Sequence, residues 1–379
     1  MSVDCPVSGR SRTSTPVPVP DALARWLAPL RPVPVQRVAL TDAMGLVLAE
    51  PLAASIALPP QAVALRGGFA VAAADTVGAS AYSPAFLPDV PERIRAGGLL
   101  PTGTDAVLPA DAVTLLGGLA QVSQAVIPGE NARRPGEDAS QGAVLRPAGR
   151  RLRPFDLAIG TAAQVEQCSV RRATVRLLAA QAHDVAVRLL VTALLEAAGA
   201  TVSTSAPFGS CPDLVGALEA ADADLVVVLG ASGLDPADHG PAALAEAGDL
   251  VAAGLALRPG EAGGCGHAGG RPVLLVPDRL EAALAMMLVF ARPCLDLLQD
   301  AAPASAMPPA PLLRRITATV GFTDIVLLRR APAGLEPLAT TELSLPAIAS
   351  ADAWMAIPPT SEGMAPGTII EVQPFPMCA

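Results

Sequence analysis

The sequence predicts a multidomain protein of the α/β plus β class, with a mostly parallel α/β domain set between β-rich segments. Three observations carry this. The chain has 379 residues, which at roughly 150 residues per domain divides into two or more units. Hydrophobic residues make up 51% of it, enough for several cores. From about Arg171, short apolar runs alternate with helical patterns, whereas before and after that region the apolar pieces are short and broken by Gly and Pro.

Taken in order, residues 1–20 lack the apolar region of a signal peptide, and their Ser, Pro and Arg content reads as a floppy leader. Residues 21–30, DALARWLAPL, place Asp21 as an N-cap before Leu23, Trp26, Leu27 and Leu30 at helical spacing. A second helical piece is expected over residues 41–50. Residues 51–126 read as a small β-rich unit with turns at Gly97, Gly98, Gly103, Gly117 and Gly118.

The alternating region gives strands at 175–180, 201–204, 224–230 and 272–277. Helices are expected over 185–198, from near Pro212, and over 282–298. Strands separated in this way form a mostly parallel sheet, and such sheets take ligands beyond the carboxyl ends of their strands. Residues 301–311 are a proline-rich linker. Beyond it ITATVGFTDIVLLRR, ATTELSL and GTIIEVQPF read as strands, with turns at Ala333-Gly334 and Pro366-Gly367.

Composition narrows the function classes. The net charge is −9 and aromatic residues are 3% of the chain, so a basic, aromatic-rich nucleic-acid surface is not expected. No apolar run reaches the roughly 18 residues of a membrane helix. The reading is a cytoplasmic protein with no membrane partner. Its six cysteines are scattered, with no CxxC pair, and indicate reduced thiols. All 26 basic residues are arginine, which rules out a Schiff-base lysine.

The most distinctive stretch is GENARRPGEDASQGAVL followed by the AG of PAGRRL, residues 129–152. With ALTDAMGLVLAEPLAA, LPTGTDAVLPAD and PAIASADAWMAIPPTSEGMAPGTIIEV, it resembles the molybdopterin molybdenumtransferase family, the MoeA and gephyrin E-domain group. The resemblance implies molybdopterin or the molybdenum cofactor as ligand, molybdate as co-substrate, and an elongated homodimer. It also implies a split helical and strand domain over 21–58 and 127–168 and a small β domain over 59–126. A molybdopterin-binding α/β domain follows over 169–300, then the 301–311 linker and a C-terminal β domain over 312–379.

The segments that the resemblance assigns to chemistry depart from the family pattern. SAMDGYA becomes ALRGGFA, which puts Gly67 where a carboxylate is expected, after Arg66. The STGDEL loop and the YDTN that opens its helix shorten to AAQAHDVAVR, keeping Arg188. The GGxSxGxxDY turn becomes GASGLDPADH, with Gly230 and Asp238 on matching positions; its backbone N–H groups, with Ser232, are expected to cradle an anion. The resemblance makes Asp238 a magnesium ligand or orienting base, against the alternative of an Asp that caps a helix. KPGKP becomes RPGEA, keeping Arg258 and Gly260 but placing Glu261 at the second cation. LPGNP becomes VPDRL, with Asp278 and Arg279 at the Gly and Asn positions.

Other groups carry less. Cys265 and His267, expected in a glycine-rich loop, are two ligands without a third. His183 beside Asp184, and Asp238 beside His239, are sequence neighbours that do not face each other. Arg150, Arg151, Arg153, Arg171 and Arg172 read as solvated charges. Glu137 and Asp138 are expected to pair with Arg133 or Arg134 or to cap a turn. The expected function is molybdopterin binding by an accessory or divergent family member with impaired catalysis. The alternatives are active molybdate insertion, with Asp238 holding magnesium and Arg258 the oxyanion, and a structural dimerisation module without ligand.

Overall fold

A sheet of six strands forms the centre of the chain in the computed structural model, which describes residues 15–181, 183–230, 238–303 and 307–376. Its strands are β1 (Thr174–Ala179), β2 (Thr201–Thr204), β3 (Leu225–Leu229), β4 (Gly248–Ala253), β5 (Gly264–Ala268) and β6 (Arg271–Val276). Their spatial order is β2-β1-β3-β6-β5-β4. The first four are parallel, and β5 and β4 add an antiparallel edge. That edge corrects the expected loop around Cys265 and His267, which lie in β5. The expected mostly parallel α/β domain is present.

Helices cover both faces because β3, LVVVL, is apolar on both. Leu225, Val227 and Leu229 join one core cluster, while Val226 and Val228 join the other. The flanking helices are α1 (Val19–Leu27), α3 (Val185–Ala197), α4 (Cys211–Ala220) and α5 (Gly240–Ala247); α2 (Pro154–Ala162) lies outside this layer. Asp184 caps α3 by accepting the Ala186 N–H, and Ser210 caps α4 by accepting the Asp213 N–H.

Helix α1 starts at Val19, two residues before its expected N-cap. Residues 15–20 are not all leader: Val17 bridges to Leu255 and Val19 is buried. Residues 1–14 lie outside the described residues. Trp26 of α1 is fully buried; its indole N–H donates to Gly266 O at 2.9 Å and its ring meets Phe290 at 6.0 Å.

Two helix expectations are corrected. Residues 41–50 form a short 3-10 turn (Leu40–Asp42) and then a strand (Val47–Leu48), because Val47 pairs with Arg171 and Leu48 with Val170. Tertiary pairing overrides the local pattern there. The helix expected at 282–298 is interrupted by a π turn (Met287–Ala291) between Leu280–Met286 and Arg292–Leu298. Pro293 lacks an N–H and its ring would crowd the carbonyl four residues back, which the wider turn relieves.

The N-terminal half is built of short antiparallel pairings. One three-stranded sheet joins Arg93–Ile94, Gly68–Val71 and Ala106–Leu108. A C-terminal sheet centres on Thr323–Ala331, paired with Gly334–Thr340, Ala353–Ile357 and, in parallel, Leu257–Arg258. The proline-rich 301–311 stretch is not wholly linker: Ala310–Pro311 pairs with Ile369–Ile370. The ATTELSL strand ends at Thr340, and Ser344 caps a short helix (Leu345–Ser350) that the sequence reading missed. The whole is a multidomain α/β plus β fold. Among the described residues no helix is long and apolar enough to cross a membrane.

Candidate ligand-binding crevice

Strand order places a switch point between β1 and β3. The chain leaves β1 through α3 to β2 on one side, then returns through α4 to β3 on the other, so the carboxyl ends of β1 and β3 diverge and leave a crevice. The residues that line this end come from three loops. Gly230 follows β3 with φ +72° and donates its N–H to Val276 O at 3.2 Å, at the end of β6. A Cβ there would stand 3.2 Å from Ala180 Cβ and 3.8 Å from His183 Cβ, so glycine brings the three strand ends together. Residues 231–237, including Ser232, lie outside the described residues, as does residue 182.

The shortened β1 loop presents Asp184, whose backbone N–H donates to both carboxylate oxygens of Asp278 at 2.8 Å each. Asp278 follows β6 at the position where the resemblance expects glycine. The two loops are therefore tied by a carboxylate, and negative charge stands at the mouth of the crevice. Arg279 turns to Glu281 in an ion pair and is highly exposed. Arg188 is exposed in the first turn of α3, one turn beyond Asp184.

Asp238 sits at the foot of α5, where its carboxylate accepts the Gly240 N–H at 3.2 Å. This is the helix-capping geometry weighed against a catalytic role. His183 bonds Ala180 O through Nδ1 at 2.7 Å and His239 is the N-cap residue of α5, so neither faces its acidic neighbour as a hydrogen-bonded pair among the described residues.

Arg258 lies in the strand that joins the C-terminal sheet. It donates from Nε and one Nη to the two oxygens of Asp324 at 2.9 and 2.8 Å, and its guanidinium stacks 5.0 Å from the Phe322 ring centroid. Asp324 is fully buried and also accepts the Thr319 N–H. The hydrogen bonds from Arg258 to Asp324, with the nearby charges of Asp324 and Glu261, raise the Arg258 pKa above its ordinary value against the cost of burial. Glu261 folds back so that its carboxylate accepts the Gly260 N–H at 3.1 Å. A backbone donor that the resemblance would offer an anion is thereby occupied.

The signature stretch turns inward on itself. Arg133 pairs with Asp138 at 2.9 Å, Glu137 accepts the Arg134 N–H at 2.7 Å, and Asn131, with φ +57°, donates to Val107 O. These are the structural roles expected of Glu137 and Asp138. Two arginines expected as solvated charges are instead clamps. Arg151 donates to Gly45 O, Ala198 O and Gln299 Oε1, and burial, with repulsion from Arg292, lowers its pKa to about 10. Arg171 donates to Val33 O and stands 3.8 Å from Asp300. Cys265 is buried in β5, which raises its thiol pKa to about 12, and His267 Nε2 meets Trp26 O at 2.9 Å. Among the described residues no group of three His, Cys, Asp or Glu side chains could hold a metal ion.

Comparison with known proteins agrees with this architecture. Residues 17–165 match the family model "MoeA N-terminal region (domain I and II)", and residues 175–297 match "Probable molybdopterin binding domain". The chain is 28% identical over 317 residues to Molybdopterin molybdenumtransferase 2 of Mycobacterium tuberculosis, covering 73% of this chain and 77% of that one. A molybdopterin biosynthesis MoeA protein structure from Pyrococcus horikoshii superposes with a TM-score of 0.73 at 20% identity, covering 95% of this chain and 100% of the other. A molybdenum cofactor biosynthesis protein of Pyrococcus furiosus gives 0.60 at 18% identity with the same coverage. A MoeA-type N-terminal region followed by a molybdopterin-binding α/β domain, on a fold shared across nearly the whole chain, makes this protein a member of the MoeA family of molybdenum-cofactor biosynthesis proteins.

Proposed function

We propose that the protein binds molybdopterin in the β1/β3 crevice as an accessory or divergent member of the family, with molybdate insertion impaired. The observation that carries this reading is the Asp278 carboxylate, held at the crevice mouth by the Asp184 backbone N–H. A carboxylate about 4 Å from a bound anion costs about 4 kcal/mol at an effective dielectric near 20, which weakens the grip on a phosphate or molybdate without closing the crevice. Gly67 in place of a carboxylate removes a group that could accept a proton or hold a metal-bound water. The second cation position carries Glu261, which is turned onto Gly260.

The backbone turn at Gly230, the α3 N-terminal turn with Arg188, and the donors of Arg258 not taken by Asp324 fit recognition of a phosphate-bearing pterin. Asp238 is the one retained acid that favours the alternative of residual turnover. A magnesium ion there would take its remaining oxygen ligands from water and substrate. The reading also places the protein in the cytoplasm as a homodimer. Helix α2 supports the second point, since Phe155 is 72% and Ile159 46% exposed on one apolar face.

The test is titration of the purified protein with molybdopterin, followed by an assay of cofactor formation with molybdate and magnesium. Saturable binding without turnover supports the reading. Turnover that is lost in Asp238→Ala supports the enzyme alternative, and absence of binding leaves the structural module.

A further inference from the structure

The residues that follow β1 are anchored on both sides of His183. Ala180 donates its N–H to Leu229 O at 3.1 Å, at the end of β3, and Gln181 donates to Phe208 O at 3.0 Å. His183 then turns back on β1 twice: its backbone N–H donates to Ala180 O at 3.2 Å, and its ring Nδ1 donates to the same oxygen at 2.7 Å. Asp184, the next residue, is held by Asp278 and caps α3. The imidazole is therefore fixed before any ligand arrives, which spares the cost of ordering it on binding.

That anchor also decides the chemistry of the ring. A carbonyl oxygen only accepts, so Nδ1 carries a proton, and in the neutral ring Nε2 is left with a lone pair. Nε2 is buried and, among the described residues, has no hydrogen-bond partner. Buried polar atoms in folded proteins are almost always paired, so an unpaired one beside a crevice marks a place for a partner from outside the chain. The crevice is adjacent: a Cβ on Gly230, in the turn after β3, would stand 3.8 Å from His183 Cβ. The histidine belongs to this chain and not to the family pattern, since STGDEL has none and the loop here reads AAQAHD.

We infer that His183 is a specificity-determining residue of the crevice, whose Nε2 accepts a hydrogen bond from a ring N–H of the bound pterin. The inference rests on the reading that molybdopterin occupies the β1/β3 crevice, and adds which part of the ligand is recognised at the β1 loop. The aminopyrimidinone edge of a pterin presents amide and amine N–H donors. A phosphate or molybdate presents oxygens, which the Nε2 lone pair repels. A buried acceptor that gains such a donor discriminates against ligands that lack it, because they leave it unpaired.

Two substitutions separate recognition from loop packing. In His183→Asn the amide nitrogen stands about where Nδ1 does, so the Ala180 anchor is kept and the outer acceptor is removed. In His183→Gln the amide oxygen reaches about as far as Nε2, and the anchor is lost. Each full-length variant is titrated with molybdopterin by fluorescence, and its melting temperature is measured alongside. His183→Asn should melt with the wild type and bind about tenfold more weakly, whereas His183→Gln should melt lower and bind within about threefold of the wild type. A residue that only packs the loop gives the reverse order, with affinity following melting temperature. The assignment is overturned if His183→Asn binds as tightly as the wild type, or if His183→Gln is weakened as much as His183→Asn or more. Absence of saturable binding by the wild-type protein overturns the pterin reading itself, and this assignment with it.

Discussion

Arg258 and Asp324 form two parallel hydrogen bonds, at 2.9 and 2.8 Å, between the strand that leaves the α/β domain and the first strand of the C-terminal hairpin. The carboxylate is fully buried and the guanidinium about a quarter exposed. Breaking such a pair leaves an uncompensated charge, which costs about 2–4 kcal/mol once discounted for the exposed side. Arg258→Ala should lower the urea midpoint accordingly. The double variant Arg258→Met/Asp324→Leu should recover most of the loss, which separates this structural role from ligand binding.

Asp278 is expected to weaken anion binding while tying the two loops. Asp278→Asn keeps an oxygen to accept the Asp184 N–H and removes the charge. Its molybdopterin affinity should rise by at least about tenfold, about 1.4 kcal/mol, less than the contact-distance repulsion of about 4 kcal/mol because Asp278 is only half-buried and solvent screens it, measured by fluorescence titration. Unchanged affinity would place the ligand's phosphate away from the β6 turn.

Asp156 is buried at the start of α2. Burial opposes its ionisation, but hydrogen bonds from Arg153 and the charge of Arg146 outweigh it, and its pKa falls below the ordinary carboxylate value. A depressed folded pKa stabilises above the unfolded value of about 3.9 and is lost as pH falls through the folded value. Asp156→Asn should therefore cost about 1–3 kcal/mol at neutral pH and progressively less as pH falls below the unfolded carboxylate value of about 3.9, read from urea midpoints at neutral and acid pH.

Burial raises the thiol pKa of Cys265 to about 12 and pushes that of Cys294 higher still, and Cys168 and Cys211 are also buried. These four thiols should resist alkylation in the native protein at pH 8 and react on unfolding, as counted by mass spectrometry.

The proposed dimer makes its own prediction. Phe155→Asp and Ile159→Asp place charge on the exposed apolar face of α2 without touching its buried residues, Asp156 and Gly160. Each should shift sedimentation from dimer to monomer at micromolar concentration with little change in melting temperature.

The α/β domain was the most legible part of the sequence, because LVVVL and RPVLLV are apolar on both faces and their lengths fit strands. The antiparallel edge was not, since GCGHA carries two glycines and no alternation; its pairing with β4 and β6 is a tertiary event. The 41–50 segment failed for the same reason, its strand existing only against Val170 and Arg171. At the site, spacing and resemblance picked out Gly230 and Asp278. The hydrogen bond from Asp184 to Asp278 spans 94 positions, and the Arg258 fork reaches Asp324 across 66, so neither could be read locally. Arg151 looked like one of a run of surface charges, and only the packed chain shows its three acceptors.

The most direct test of the proposed function measures molybdopterin binding and molybdate insertion on the same protein sample. Saturable binding with insertion reduced by at least about a hundredfold, relative to a family member with SAMDGYA and KPGKP intact, is the predicted result for lost catalytic groups. Insertion at a comparable rate, abolished by Asp238→Ala, would contradict it.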